Sequence, residues 1–244
     1  MYFSRWAFCA PLALGLALVG PGTASALLLD DFSDEFSVEI GLGNAASNPL
    51  ENSGGTAIGG AGGARAVVLE RVAGGGTMLV DTGLSDADTL SVSTGAGVSG
   101  NIRLIWDGDT DGDVNPTGLG GLDLTEGGTQ HLLTFQAGWD QPGIVLTVTF
   151  YGDGGTTSSF DYVTAGGNTF DSFTNVSIPF ASFVGDVDLT QVGAITLDIT
   201  GPTSLDLQMR DFQTAVPEPG TFALLGLGLA GLQFAGSRRR RVAA

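Results

Sequence analysis

The chain has 244 residues, with nine basic against 26 acidic residues and a net charge of −17 at neutral pH. This acidic excess excludes an electrostatic nucleic-acid-binding surface, because phosphate backbones would repel it. A single histidine and a single cysteine exclude sites built from several of those residues. Hydrophobic residues make up 43% of the chain, which is enough for a folded core.

Residues 1–26 have the pattern of a secretory signal peptide. Arg5 precedes the apolar run Ala7–Val19, and a small-residue cleavage pattern ends at Ala26. The apolar run is too short for an ordinary membrane-spanning helix. We therefore expect a signal peptidase to cut after Ala26 and to remove the only cysteine, Cys9, leaving no disulfide in the exported part.

Residues 27–215 have the pattern of one all-β domain. Ile144, Leu146 and Val148 alternate with more polar neighbours, and Leu205, Leu207 and Met209 do the same near the end of the domain. Turn-forming Gly, Asp, Asn and Pro separate about ten such segments, and no helical period is seen outside the terminal segments. The sequence predicts an antiparallel β-sandwich, specifically a jelly roll.

Three stretches of this domain resemble jelly-roll modules of the carbohydrate-binding type. They are L-L-D-D-F at 28–32, I-R-L-I-W-D-G-D at 102–109, and the closing stretch A-I-T-L-D-I-T-G-P at 194–202 with L-D-L-Q-M-R-D-F at 205–212. The resemblance implies that the first and last strands pair. It also implies a structural calcium ion close to them, which would place Asp30, Asp31 or Asp211 near the ion.

An acidic run between two predicted strands has the spacing of calcium ligands. Its side-chain oxygens fall at alternate positions: Asp107, Asp109, Asp111, Asp113 and Asn115. Gly112 permits a sharp turn, and Ca²⁺ takes six to eight oxygen ligands. Gly118 stands where an EF-hand has glutamate, so a further ligand such as Asp123 or Glu126 is needed. The sequence predicts a weak calcium-binding loop, with a solvated acidic loop as the alternative.

Residues for catalysis are few, and we predict that the domain is not an enzyme. The lone His131 is expected to be structural, and no G-x-S-x-G motif is present. Carboxylate pairs for glycoside hydrolysis remain open. The glutamates near apolar residues are Glu35, Glu39, Glu70 and Glu126.

Sugar binding requires an exposed aromatic ring that can stack on a pyranose face. Trp139 lies beside the predicted turn Asp140–Gly143 and is expected to be exposed, which makes it the candidate sugar-binding residue; the alternative is an aromatic residue that only caps the turn. Trp106 shares a face with Ile102 and Leu104, so we expect it in the core.

Residues 216–244 combine three features in order. They are the tripeptide Pro217-Glu218-Pro219, an apolar segment at about 220–236, and the cluster Arg238, Arg239, Arg240 and Arg241. The apolar segment is short but can span a bilayer by thinning it. The arginines are expected to stay cytoplasmic, which places residues 27–215 outside.

This order resembles the PEP-CTERM sorting signal. The resemblance implies processing near the tripeptide by a membrane-embedded exosortase, followed by delivery to the cell surface or the extracellular matrix. The alternative is a plain C-terminal anchor with an incidental tripeptide. We predict an exported, non-enzymatic structural or adhesive protein; the alternatives are a calcium-stabilised carbohydrate-binding module for exopolysaccharide and, with less support, a glycoside hydrolase.

Overall fold

The computed structural model describes residues 26–41, 48–50, 64–166 and 172–216, and these form strands and two short 3-10 helices at Asp153–Gly155 and Phe180–Ser182. The strands are β1 (Leu28–Asp30), β2 (Phe36–Ile40), β3 (Asn48–Leu50), β4 (Ala66–Ala73), β5 (Met78–Thr82), β6 (Leu90–Thr94), β7 (Ser99–Trp106), β8 (Leu132–Trp139), β9 (Val145–Gly152), β10 (Thr157–Val163), β11 (Thr174–Pro179), β12 (Val184–Gly185), β13 (Val192–Thr200) and β14 (Asp206–Ala215).

The two predicted terminal helices fall almost entirely on residues 1–25 and 217–244, which lie outside the described residues. In the part of the chain that the structure does describe, no helix of membrane-crossing length and apolarity is found.

The strands form two antiparallel sheets. Sheet A has the order β11-β8-β14-β6-β5-β2, with β1 also paired to β14, and sheet B has the order β12-β10-β9-β13-β7-β4-β3. The strands β11-β8-β14-β6 of sheet A and β10-β9-β13-β7 of sheet B have the chain order of two interlocked Greek keys, which is a jelly roll. The predicted all-β antiparallel sandwich is confirmed, and so is the pairing of the first strand with the last.

The core lies between the sheets and follows the predicted alternation. On β9, Leu146, Val148 and Phe150 are buried, while the residues between them are partly exposed. Trp106 is fully buried, as predicted, and its ring stacks on that of Phe212 with a centroid distance of 5.1 Å. This contact joins β7 of sheet B to β14 of sheet A.

A buried ion pair also joins the sheets, because Asp30 is on β1 of sheet A and Arg65 directly precedes β4 of sheet B. The Asp30 carboxylate accepts further hydrogen bonds from the Trp106 indole N–H and the Phe32 backbone N–H, each at 2.8 Å. Burial raises the pKa of Asp30, although the charge of Arg65 and these hydrogen bonds act in the opposite direction. Arg65 is therefore the counter-charge of Asp30 in the core, and the calcium ion near Asp30, Asp31 or Asp211 stays a prediction.

We predict that Arg65→Met lowers the free energy of unfolding by about 3–5 kcal/mol, because Asp30 would be left buried without its counter-charge. Urea unfolding of the exported chain measures the change. The double variant Asp30→Asn/Arg65→Met removes both charges, and we expect it to be more stable than Arg65→Met alone. If Arg65→Met unfolds at the same urea concentration as the parent chain, then the ion pair does not stabilise the fold.

Candidate functional site

The acidic loop between β7 and β8 uses its carboxylates as acceptors for backbone N–H groups. Asp107, 1% exposed, accepts from Asn115 at 2.7 Å and from Asp109 at 3.2 Å. Asp109 and Asp111 each accept from the N–H two residues further along the chain. Among the described residues, no group of three acidic, histidine or cysteine side chains is arranged to hold a metal ion. The calcium site stays a prediction, and an ion there would use carboxylate lone pairs that the N–H donors leave unoccupied.

The same loop is tied to the sandwich by its leucines. Leu119 and Leu122 donate backbone hydrogen bonds to the start of β13, and Leu124 donates to Leu189. Leu119 and Leu124 are buried in the core. Burial raises the pKa of Asp107, while the Thr125 hydroxyl that hydrogen-bonds to Asp123 lowers the pKa of that carboxyl. The loop is therefore a packed part of the domain.

Truncation of the loop acids tests this role. Asp107→Ala is expected to cost about 1–3 kcal/mol of unfolding free energy, because it leaves two N–H groups without their acceptor. The matched variant Asp113→Ala removes an exposed carboxylate and is expected to change stability by no more than about 0.5 kcal/mol. Chemical denaturation measures both, and equal losses would contradict a specific role for Asp107.

The calcium prediction has its own measurement. Calcium at about 1–10 mM is expected to raise the melting temperature of the parent chain, because weak extracellular calcium sites bind in this range and binding favours the folded state. The variant Asp109→Asn/Asp111→Asn is expected to lose the rise. A parent melting temperature that is the same with calcium and with chelator contradicts the prediction.

The predicted exposure of Trp139 is wrong. The residue ends β8, is 3% exposed, and donates its indole N–H to the Gly166 carbonyl at 2.9 Å. Its ring contacts Tyr162 edge-on at a centroid distance of 6.3 Å. The turn follows at Asp140 as expected, but Trp139 is still the last residue of β8 and its ring packs inward. It offers no face to a sugar.

The other candidate site residues lie on separate parts of the fold and do not form one site. Asp30 is buried between the sheets, whereas Asp211 is exposed on the outer side of sheet A. His131 is exposed just before β8. The candidate glutamates are exposed and lie on separate elements: Glu35 and Glu126 in loops, Glu39 on β2 and Glu70 on β4.

A β-bulge in β14 shapes the outer face of sheet A. Asp211 has φ of +57°, and the pairing with β8 shifts register between Arg210 and Gln213. Met209 and Phe212 are fully buried on either side of the bulge, and Arg210 and Asp211 both lie outside the core. Two consecutive polar residues between hydrophobic ones are the sequence signal for this bulge, because strict alternation would place only one polar residue there.

Beside the bulge lies a hollow of about 260 Å³, which no sequence argument had identified. Its polar side chains are Thr134, Gln136, Asn175, Ser177, Asp211 and Gln213. Next to it, the guanidinium of Arg210 lies 4.1 Å from the centroid of the Phe173 ring. Arg210 also donates from Nε to Gln136 Oε1 at 2.9 Å. The hollow thus has an amide, a guanidinium and a ring held in fixed positions at its edge.

The outer face of sheet B has a groove of about 400 Å³ with different chemistry. It is lined by Val68, Glu70, Asn101, Arg103, Thr147, Asp198 and Thr200. Arg103 pairs with Asp198 at 2.6 Å, and Asn101 donates to Glu70 at 2.9 Å. The charged groups of this groove are therefore already engaged with one another.

Comparison with known families identifies a PEP-CTERM protein-sorting motif at residues 215–241. The motif implies an exported, membrane-associated protein, as predicted, and its span includes Pro217–Pro219 and Arg238–Arg241. The match begins at Ala215, the last residue of β14. No curated protein matches the chain.

Among solved structures, the chain is similar to two carbohydrate-binding modules of cellulosomal cellulases from Clostridium thermocellum. The family 11 module is 12% identical, with 80% of this chain and 97% of the module covered and a TM-score of 0.40. The family 30 module is 15% identical, with 75% and 99% covered and a TM-score of 0.38. An exo-beta-agarase is 10% identical, with 79% and 25% covered and a TM-score of 0.40. Similarity at this level says nothing about a ligand of this chain.

Proposed function

We propose that this chain is an exported, non-catalytic adhesive protein of the cell surface or extracellular matrix, and that it binds polysaccharide on the outer face of sheet A. The hollow beside the β14 bulge carries the proposal. It combines amide, hydroxyl and carboxylate groups with the stacked Arg210–Phe173 pair.

The side chains of the hollow match the hydrogen-bonding needs of a sugar. Neighbouring sugar hydroxyls both donate and accept, and an amide such as that of Asn175 or Gln213 can do both at once. These two amides make no side-chain hydrogen bond to another described residue, so their capacity is free for a ligand. The carboxylate of Asp211 adds an acceptor for a pair of hydroxyls.

The Arg210–Phe173 pair supplies the planar surface that Trp139 does not. Its guanidinium is fixed by the ring on one side and by Gln136 at Nε, so little entropy is lost when a ligand packs against it. The acidic excess of the domain repels anionic polymers, because like charges oppose close approach. We therefore propose a neutral polysaccharide as the ligand.

Export and sorting fit this role. We propose that signal peptidase cuts after Ala26, and that an exosortase acts on the Pro217–Pro219 region once the domain is outside. Calcium binding by the Asp107–Asn115 loop would add stability outside the cell and is not needed for the sugar contact.

A glycoside hydrolase is the weaker candidate. The groove on sheet B contains two carboxylates, Glu70 and Asp198, but Asn101 and Arg103 donate hydrogen bonds to them. A glycosidase needs two carboxyl groups that can reach the sugar, whereas both carboxylates of this groove are already engaged by neighbouring side chains. We therefore expect no new reducing ends when the protein is incubated with polysaccharides that it binds.

A panel of immobilised neutral polysaccharides tests the binding proposal. Arg210→Ala is expected to weaken binding roughly tenfold or more, since it removes the fixed planar group at the edge of the hollow. Asn175→Ala is expected to weaken it as well. Arg103→Ala on sheet B is the matched control and is expected to bind like the parent.

Circular dichroism and melting curves establish that each variant is folded. If Arg103→Ala loses binding and Arg210→Ala keeps it, then the binding site lies on sheet B and not on sheet A. A folded parent chain that binds none of the polysaccharides would contradict the adhesive role through sugar.

A further inference from the structure

The end of the sandwich at which β14 stops carries the beginning of the sorting motif. We call this the exit end, and define it by loop 83–89, loop 107–131 and Ala215. Loop 83–89 joins β5 to β6, and loop 107–131 leads into β8, whose first residue, Leu132, pairs with Ala215. Only Val216 separates Ala215 from Pro217. Two extended residues span at most about 7 Å, so the tripeptide begins within that distance of the folded domain.

Ala215 is held in the sheet and cannot lengthen this connection without loss of structure. Its carbonyl accepts a hydrogen bond from the His131 N–H at 3.1 Å. The preceding Thr214 is fully buried, and its N–H donates to Leu27 at 2.9 Å. The end of β14 pairs with β8 on one side and with β1 on the other, so unwinding it would break both pairings.

The chain start leaves the domain at the same end. Leu27 lies beside Thr214, because β1 pairs antiparallel with β14 from Leu28 opposite Gln213. Both connections between the domain and its terminal segments therefore lie at the exit end. The exit end must face the membrane while either segment is held there.

From this geometry we propose that the exit end is the surface that contacts the membrane-embedded sorting enzyme during processing of the tail. This rests on the proposed sorting function and extends it to a docking surface. An enzyme that holds the tripeptide is brought within about 7 Å of Ala215, closer than the thickness of a single helix, so the two proteins must touch.

The charge of the exit end specifies the chemistry of the partner. Loops 83–89 and 107–131 contain no lysine or arginine, and Asp86, Asp88 and Glu126 are exposed there. By contrast, Asp140 is the only acid in the short loops 95–98, 140–144 and 201–205 at the opposite end. An acidic surface approaches a basic one fastest, so the rim of the enzyme that meets this end is basic.

Tail processing of the full chain in its native host tests the contact. The triple variant Asp86→Asn/Asp88→Asn/Glu126→Gln removes three exposed acids from the exit end. The matched control Glu39→Gln/Glu70→Gln/Asp161→Asn removes three exposed acids from the sheet faces. Pulse-chase labelling with mass analysis of the C-terminus gives the rate. We expect the exit-end variant to be processed roughly threefold to tenfold more slowly than the parent, and the control to match the parent.

A second pair of chains separates contact from a general charge effect. A flexible Gly-Ser insert of about ten residues between Ala215 and Val216 frees the domain from the enzyme. With the insert, the exit-end variant is expected to be processed at the rate of the inserted parent. Equal rates for parent and exit-end variant without the insert would overturn the contact, and so would slowing that persists with the insert.

Failure of the sorting function gives a different result. If the parent chain keeps residues 217–244 in the host, then the sorting role itself is wrong, and the contact falls with it. If the parent is processed and only the variant comparison fails, the sorting role stands.

Discussion

The buried Asp30–Arg65 pair is the polar centre on which the two sheets depend. Asp30 belongs to β1 and reaches sheet A through β14, whereas Arg65 directly precedes β4 of sheet B. Trp106 on β7 donates to the same carboxylate and stacks on Phe212 of β14. Residues 27–216 contain no cysteine, so no disulfide can join the sheets. A paired charge within an apolar core is costly to break, and here it fixes the first strand of the domain to both layers.

Much of the fold was predictable from the alternation of residues because alternation is a direct consequence of a strand having two faces. Ile144, Leu146 and Val148 are buried as predicted. The same rule does not say where a strand ends. Trp139 was expected at a turn, but three successive residues at the end of β8 are buried, and the Gly166 carbonyl covers the indole N–H. That contact joins residues 27 positions apart, so no local pattern contains it.

The acidic residues show a second limit of reasoning from spacing. Asp30 and Asp107 were both considered as calcium ligands because carboxylates at those positions suit a hard cation. In the structure, Asp30 meets a guanidinium that lies 35 residues away in sequence, and Asp107 meets backbone N–H groups of its own loop. A carboxylate can be neutralised by an ion, an arginine or a set of amide donors. Sequence spacing alone does not distinguish them, whereas the fold places an arginine beside Asp30 and backbone donors around Asp107.

Strand β14 connects the proposed binding face to the sorting motif. Its bulge turns Arg210 and Asp211 outward, and the strand ends at Ala215, where the motif begins. Because β14 is paired on both sides, a force applied by a polysaccharide at Arg210 is borne by the whole of sheet A rather than by a loop. Processing beyond Val216 would leave every paired residue of β14 in place. The proposed binding face would therefore stay intact after the tail is removed, although both are attached to the same strand.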